Sequence, residues 1–198
     1  MTLRILVILT LTVVSLSISA QVADRAEEIS PLLIGETIPD ILVMAPDGSE
    51  HTMLNILSRK PTVILFYRGG WCPYCNAHLS DIRDAENEII KSGYQIIAIS
   101  PDSPENLDIT SEANELNYFL YSDAGGTLMK AMGIAFKAPE KNLEKLFRYS
   151  DGANSGFLPV PSVFIADSKG LILFEYINPK YKTRMSASLL IAVLQNLD

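Results

Sequence analysis

The amino-acid sequence predicts an α/β fold in which a central mixed β-sheet is flanked by helices on both faces. Two apolar runs, 62–67 and 94–100, lack polar alternation, which is typical of strands covered on both faces of a parallel sheet. Between them, residues 76–91 carry apolar side chains at helical spacing. A hairpin at 162–176, with a tight Asp-Ser-Lys-Gly turn, adds antiparallel strands. The sheet is therefore expected to be mixed.

The remaining elements follow from turn residues, helix-start signals and short apolar runs. In chain order they are a strand at 41–43, a turn at 46–48, a helical turn at 54–57, a helix beginning at Ser103, a strand at 118–121, a short helix within 123–132, a surface insertion at 136–157 with one helix around 141–147, and a final helix at 186–197.

The N-terminus has the pattern of a secretory signal peptide. Arg4 precedes an apolar stretch at 5–18, and small residues follow at 17–20. The stretch is shorter than the roughly 20 residues of a membrane span. We therefore expect residues 1–20 to be a signal peptide, with a retained N-terminal anchor as the alternative. Residues 21–30 are expected to be a flexible lead-in, and residues 31–198 one domain.

This pattern predicts an exported protein, either periplasmic or secreted. The formal net charge of −7 makes nucleic acid and anionic lipid poor partners. Contact with a membrane is expected only through an uncleaved signal segment.

Cys72 and Cys75, the two cysteines of the chain, form a Trp71-Cys-Pro-Tyr-Cys75 sequence after a predicted strand and Gly69-Gly70. A strand that turns into a helix here places the thiol of Cys72 at the helix N-terminus, which favours a thiolate. So short a loop adds little stability as a structural disulfide. The spacing therefore predicts reversible dithiol chemistry, in which Cys72 is the nucleophile and Cys75 resolves the intermediate. We expect the thiol of Cys72 to be partly exposed and Cys75 to be more buried behind it.

The segment Phe66–Cys75, followed by a helix and by Ala98–Asp102, resembles the thioredoxin superfamily, and most closely its peroxiredoxin-like (AhpC/TSA, redoxin) branch. The segment Val160–Asp167, with the turn at Lys169-Gly170, is similar to that family's second sequence landmark. The resemblance covers most of residues 31–197 and implies a thioredoxin-like fold. It implies no cofactor.

The resemblance also implies a substrate-binding surface beside the thiols. A proline at the place of Pro161 has a cis peptide bond in thioredoxin-like proteins and faces the dithiol. The backbone of Val160 would then be presented to an extended substrate. Trp71 either forms a flat docking surface beside Cys72 or packs in the core. Arg68 either lowers the pKa of Cys72 or caps a solvent-facing turn.

Three positions depart from the patterns of these families. Gly69 stands where peroxiredoxins commonly carry a threonine, and Pro161 stands where they carry an arginine. Those two side chains bind the peroxide and stabilise its leaving oxygen. Phe66 stands where many thioredoxins have a buried aspartate, so proton transfer from Cys75 would need another base or water.

These observations favour an exported thiol-disulfide oxidoreductase that acts on a protein thiol or disulfide partner. The alternative is a thiol peroxidase that acts on peroxide. A further alternative is a copper or zinc carrier, because Cys72, Cys75 and His78 form a Cys-x2-Cys-x2-His run. We expect no metal site, and we expect His78 to be a solvated helix residue.

Overall fold

A computed structural model describes residues 22–197, and within them nine strands and seven α-helices are formed. The strands are β1 (Leu42–Met44), β2 (Glu50–Thr52), β3 (Thr62–Phe66), β4 (Gln95–Ser100), β5 (Phe119–Ser122), β6 (Ala135–Lys137), β7 (Phe157–Pro159), β8 (Ser162–Ala166) and β9 (Ile172–Ile177). The helices are α1 (Met53–Leu57), α2 (Pro73–Asp84), α3 (Glu86–Lys91), α4 (Pro104–Ala113), α5 (Thr127–Ala131), α6 (Glu140–Tyr149) and α7 (Ala187–Leu194).

The central sheet has seven strands in the spatial order β2-β1-β5-β4-β3-β8-β9. Strands β3, β4 and β5 are parallel to one another, and the other pairings are antiparallel. The predicted mixed α/β fold is therefore confirmed. A separate two-stranded sheet joins β6 to β7.

Strand β3 shows why the chain builds helices on both faces of the sheet. All five of its residues are buried. Because side chains alternate along a strand, Val63 and Leu65 belong to one hydrophobic core, together with residues of α2 and α7. Ile64 and Phe66 belong to a second core on the opposite face, together with residues of α1 and α5.

The parallel pairing of β3 and β4 brings their carboxyl ends together. The loop after β3 leads to the dithiol, and the loop after β4 contains Asp102. Ligands and catalytic groups in open α/β sheets commonly lie at this edge.

The single helix expected at 76–91 is divided into α2 and α3. The division is at Ala85 (φ −97°, ψ −1°), the residue that ends α2 and precedes the first residue of α3. Helix α2 also begins earlier than expected, at Pro73. Proline is well suited to the first helical position, because the N–H group that it lacks would have no hydrogen-bond partner within the helix there.

The segment expected to be a flexible lead-in lies against the domain over its described part, residues 22–30. Ala23 forms a parallel bridge with Phe136, and its carbonyl accepts a hydrogen bond from the N–H of Lys137 at 2.9 Å. Asp24 pairs with Lys137 at 2.6 Å. The structure thus differs from the expectation, because these contacts hold the segment on the surface of the domain.

The expected signal peptide, residues 1–20, lies outside the described residues. Within 22–197, no helix combines the length and the apolar character needed to cross a membrane.

Candidate active site at the dithiol

Cys72 is the residue that begins helix α2. Its backbone is extended (φ −99°, ψ 109°), and its carbonyl accepts hydrogen bonds from the N–H groups of Cys75 and Asn76 at 2.9 and 3.1 Å. The predicted position at a helix N-terminus is confirmed. The expectation of a partly exposed thiol is wrong, since Cys72 is only 2% exposed and is reached through a cavity.

Cys75 lies one helical turn further along, fully buried, and both cysteines are free thiols. The thiol and the backbone N–H of Cys75 lower the pKa of Cys72 to about 6, with smaller contributions from Arg68 and Arg184, while burial acts against them. Burial and the neighbouring Cys72 sulfur raise the pKa of Cys75. Cys72 is therefore the thiolate and Cys75 the protonated thiol of this pair.

Arg68 is buried next to the dithiol, with 7% exposure, so it does not cap a solvent-facing turn. Its guanidinium carbon lies 5.1 Å from the ring centroid of Trp71 and 4.5 Å from that of Tyr181. Among the described residues no carboxylate pairs with it, and its Nε has no hydrogen-bond partner. Arg68 is thus a buried cation held between aromatic rings, and its charge lowers the pKa of Cys72.

A cavity of about 540 Å³ opens over Cys72. Trp71, Tyr74 and Tyr181 give it aromatic walls, and Lys141, Asn142 and Lys145 of α6 line it from the segment predicted to be a surface insertion. The sequence predicted the helix in this segment but gave no sign that it borders the thiol. Trp71 also packs against the hydrophobic core, which agrees with the second interpretation of this side chain, and its use as a docking surface stays a prediction.

Pro161 lines the same cavity as Cys72, which confirms their expected proximity. The expected cis bond is wrong, because residues 22–197 contain no cis peptide bond and Val160–Pro161 is trans. Trans is the intrinsically preferred form of such bonds by about 0.5–1 kcal/mol.

Val160 does not take the place expected for a substrate-binding residue. Its side chain is buried and does not line the cavity, and its N–H donates to the carbonyl of Ile134 at 2.8 Å. This N–H is therefore not free to pair with an added strand.

Asp102 is a site residue that sequence reasoning did not assign, although the Ala98–Asp102 segment contributed to the family resemblance. Its carboxylate is fully buried, and Oδ2 accepts a hydrogen bond from the N–H of Gly70 at 2.7 Å. Burial raises the pKa of Asp102 to about 7; the N–H of Gly70 and the hydroxyl of Ser100 lower it, and the charge of Cys72 raises it further.

Gly69 is required by this packing. Its φ is +128°, and a Cβ at this position would lie 2.6 Å from Oδ1 of Asp102 and against Nε1 of Trp71. The threonine that peroxiredoxins commonly carry here would collide with both groups.

Two further side chains lie behind the dithiol. Nη2 of Arg184 lies 3.6 Å from Sγ of Cys75, a contact that no local sequence pattern indicates. His78 is 9% exposed, so the expectation of a solvated histidine is wrong. Burial, followed by the charge of Arg184, lowers the pKa of His78 to about 4. The inner side of the site therefore holds a buried neutral histidine, His78, and one cation, Arg184.

The Cys-x2-Cys-x2-His run does not assemble into a metal centre. Within residues 22–197, no three or more His, Cys, Asp or Glu side chains are grouped so that they could hold a metal ion. Cys75 instead contacts the cationic Arg184, which disfavours a bound cation.

The sequence model of the AhpC/TSA family matches residues 34–174, which is more than half of the chain. The chain belongs to the AhpC/TSA family. Among the curated relatives of this AhpC/TSA protein is peroxiredoxin Bcp of Escherichia coli strain K12, 27% identical over 105 residues, with 53% of this chain and 67% of that protein covered. Chloroplastic peroxiredoxin Q of Triticum aestivum is 24% identical over 163 residues, with 82% and 67% covered.

Solved structures show the same fold. Reduced Prx3 from Vibrio vulnificus superposes with a TM-score of 0.72 at 17% identity, with 83% of this chain and 99% of that chain covered. Peroxidoxin BcpB from Mycobacterium tuberculosis gives a TM-score of 0.67 at 20% identity, with 83% and 97% covered. The predicted thioredoxin-like fold is thereby confirmed, and this AhpC/TSA protein is a thiol-based oxidoreductase.

Proposed function

We propose that this protein is a thiol peroxidase in which Cys72 reduces peroxide and Cys75 resolves the product. The observation that carries the proposal is the position of the Cys72 thiolate at a cavity that it shares with the buried, unpaired guanidinium of Arg68. The names of the relatives, peroxiredoxin Bcp and peroxiredoxin Q, support it. A disulfide oxidoreductase, the function favoured by the sequence, has less support from these relatives.

The chemistry takes two steps. The thiolate of Cys72 attacks one peroxide oxygen, the O–O bond breaks, and the other oxygen leaves as an alcohol or water after taking a proton. Cys72 is then a sulfenic acid. The thiol of Cys75 attacks the Cys72 sulfur, a disulfide forms, and water leaves. A thiol reductant then restores the dithiol.

Arg68 supplies a cation at a different sequence position from the arginine expected in peroxiredoxins. Pro161 occupies that expected place and has no cationic side chain to offer. The guanidinium of Arg68 enters the same cavity from the end of β3 and has several N–H donors for a developing oxyanion. The proposal assigns it the stabilisation of the leaving oxygen.

Reduction of a disulfide substrate is the second candidate function. Pro161 at the cavity and the two-residue spacing of the cysteines both favour it. Cys72 would then attack a substrate sulfur, and Cys75 would release the reduced substrate by attacking the mixed disulfide.

A stopped-flow experiment separates the two functions. Trp71, the single tryptophan of the chain, adjoins Cys72 and serves as the fluorescence probe. The reduced protein is mixed with hydrogen peroxide, with cumene hydroperoxide, and with oxidised glutathione. We expect one equivalent of peroxide to oxidise the dithiol rapidly, and Cys75→Ser to accumulate a sulfenic acid that dimedone traps.

Cys72→Ser is the control and should not respond to either peroxide. Rapid oxidation by glutathione disulfide together with slow oxidation by both peroxides would contradict the peroxidase proposal and favour the disulfide reductase.

We also propose that the protein is exported, on the basis of the signal-peptide pattern at 1–20. N-terminal sequencing of the protein isolated from its native cells tests this. A mature N-terminus near residue 21 is the expected result, and a cytoplasmic protein that retains residues 1–20 would contradict it.

A further inference from the structure

Several buried polar atoms without hydrogen-bond partners surround the dithiol. They include the hydroxyl of Tyr67, Nε1 of Trp71 and Oδ1 of Asp102. Such atoms are uncommon in folded proteins, and a group of them calls for a functional explanation. Asp102 is the acidic member of this group, and burying a carboxylate without full pairing is costly.

Asp102 is joined directly to the loop that carries the nucleophile. The N–H of Gly70 donates to its Oδ2 at 2.7 Å. Its Oδ1 and Nε1 of Trp71 both lie against the space that a Cβ on Gly69 would occupy. The carboxylate therefore fixes the loop immediately before Cys72.

We propose that Asp102 is a positioning residue for the dithiol, which orients the Gly69–Cys72 loop and shares a single negative charge with Cys72, so that ionisation of either group opposes ionisation of the other. The proposal concerns the reactivity of the Cys72 thiol and does not rest on peroxide or disulfide as the substrate.

The surroundings of Asp102 support this coupling. The groups that interact with it are Tyr67 just after β3, Ser100 at the end of β4 and Cys72 at the start of α2. Among the described residues, no cation lies within ion-pair distance of the carboxylate. Two negative charges in this buried region would repel each other with little solvent screening.

The sequence left open which group accepts the proton of Cys75, because the buried aspartate of many thioredoxins is missing. Phe66 stands where many thioredoxins have a buried aspartate, and its side chain belongs to the core on the opposite face from the cysteines. Asp102, at the end of the neighbouring parallel strand, provides a buried carboxylate at the same edge of the sheet.

The test is the pH dependence of alkylation of Cys72 by iodoacetamide, in a Cys75→Ser background so that one thiol reacts. In that background, the double variant with Asp102→Asn is compared with the single variant Cys75→Ser. The asparagine oxygen can still accept from Gly70, but the negative charge is lost. Because the pKa of Asp102, about 7, lies above that of Cys72, about 6, only a minor fraction of the carboxyl groups is ionised at the Cys72 midpoint. We therefore expect the midpoint to fall by a few tenths of a pH unit, with alkylation in mildly acidic buffer up to about twofold faster.

Asp123→Asn is the matched control. Asp123 is also buried and also has a raised pKa, but it accepts hydrogen bonds from the start of α5, away from the thiols. This variant should leave the alkylation midpoint of Cys72 unchanged. A merely structural role of Asp102 would change the alkylation rate at every pH without moving the midpoint.

A reciprocal measurement keeps the proposal testable if Asp102→Asn does not fold. In Cys72→Ser, which leaves Asp102 in place, the carboxyl carbon of Asp102 is followed by NMR as pH changes. Because the coupling is mutual, the pKa of Asp102 should be lower in Cys72→Ser than in the reduced parent protein. An unchanged pKa of Asp102, or an unchanged midpoint for Cys72 in folded Asp102→Asn, would overturn the proposal.

Discussion

Nη2 of Arg184 lies 3.6 Å from Sγ of Cys75, although 109 positions separate the two residues in the sequence. The contact places a cation on the inner side of the dithiol, next to the thiol that must lose its proton before it attacks Cys72. The charge of Arg184 lowers the pKa of Cys75 against the larger effect of burial.

Arg184→Met is therefore expected to slow the resolving step. Without the cation the pKa of Cys75 rises further, fewer molecules carry the Cys75 thiolate, and the Cys72 sulfenic acid lasts several-fold longer. Dimedone trapping measures this lifetime. Arg59→Met is the control, since Arg59 precedes β3 at the opposite end of the strand from the dithiol. Equal lifetimes in the two variants would show that Arg184 has no part in resolution.

Arg68→Met is expected to raise the pKa of Cys72 above its value of about 6, because the guanidinium stabilises the thiolate. A rise of up to roughly one pH unit, followed by the ultraviolet absorbance of the thiolate, is the expected size. Arg68→Lys retains a positive charge and should keep most of the effect. If the pKa of Cys72 is the same in Arg68→Met, Arg68→Lys and the unmodified protein, the cation of Arg68 does not act on Cys72.

Gly69→Thr places the residue common in peroxiredoxins at its usual position, and we expect it to destabilise the protein. The positive φ and the collision with Asp102 and Trp71 together cost roughly 1–3 kcal/mol in the free energy of unfolding. Denaturant unfolding measures this cost.

Gly93→Ala is the matched control for Gly69→Thr. Gly93 also has a positive φ, +92°, but no atom lies within 4 Å of the place where its Cβ would be. It should therefore cost only about 1 kcal/mol from backbone strain. A Gly69→Thr protein as stable as Gly93→Ala would contradict the packing described around Gly69.

His78 makes the stability of the folded protein sensitive to acid. Its pKa is lowered from 6.5 to about 4 in the folded state, so the unfolded chain binds more protons between these values. The free energy of unfolding contributed by this group therefore falls as the pH drops from about 6.5 to 4, by about 3 kcal/mol.

His78→Gln should remove this part of the pH dependence. Urea unfolding at a series of pH values measures it, and His51→Gln, which changes the other histidine of the chain, should keep the dependence of the parent protein. The assignment of a buried neutral histidine fails if His78→Gln and the parent lose stability in parallel over this range.

The sequence by itself determined the fold class and the place of the dithiol. The unbroken apolar run of β3 requires cover on both faces of the sheet, and a Cys-Pro pair after Gly-Gly places the thiol of Cys72 where a helix begins. These signals are local, because strand burial, helix starts and glycine turns depend on residues close together in the chain. The family resemblance rests on the same local segments and was confirmed.

Only the tertiary structure decided the surroundings of the thiols. Arg68 had two possible roles until the rings of Trp71 and Tyr181 were seen to enclose it. Asp102 and Arg184 come to the site from the end of a neighbouring strand and from the segment before α7. Burial and charge depend on everything that packs around a side chain. No pattern within one segment could therefore reveal that these groups converge on Cys72 and Cys75.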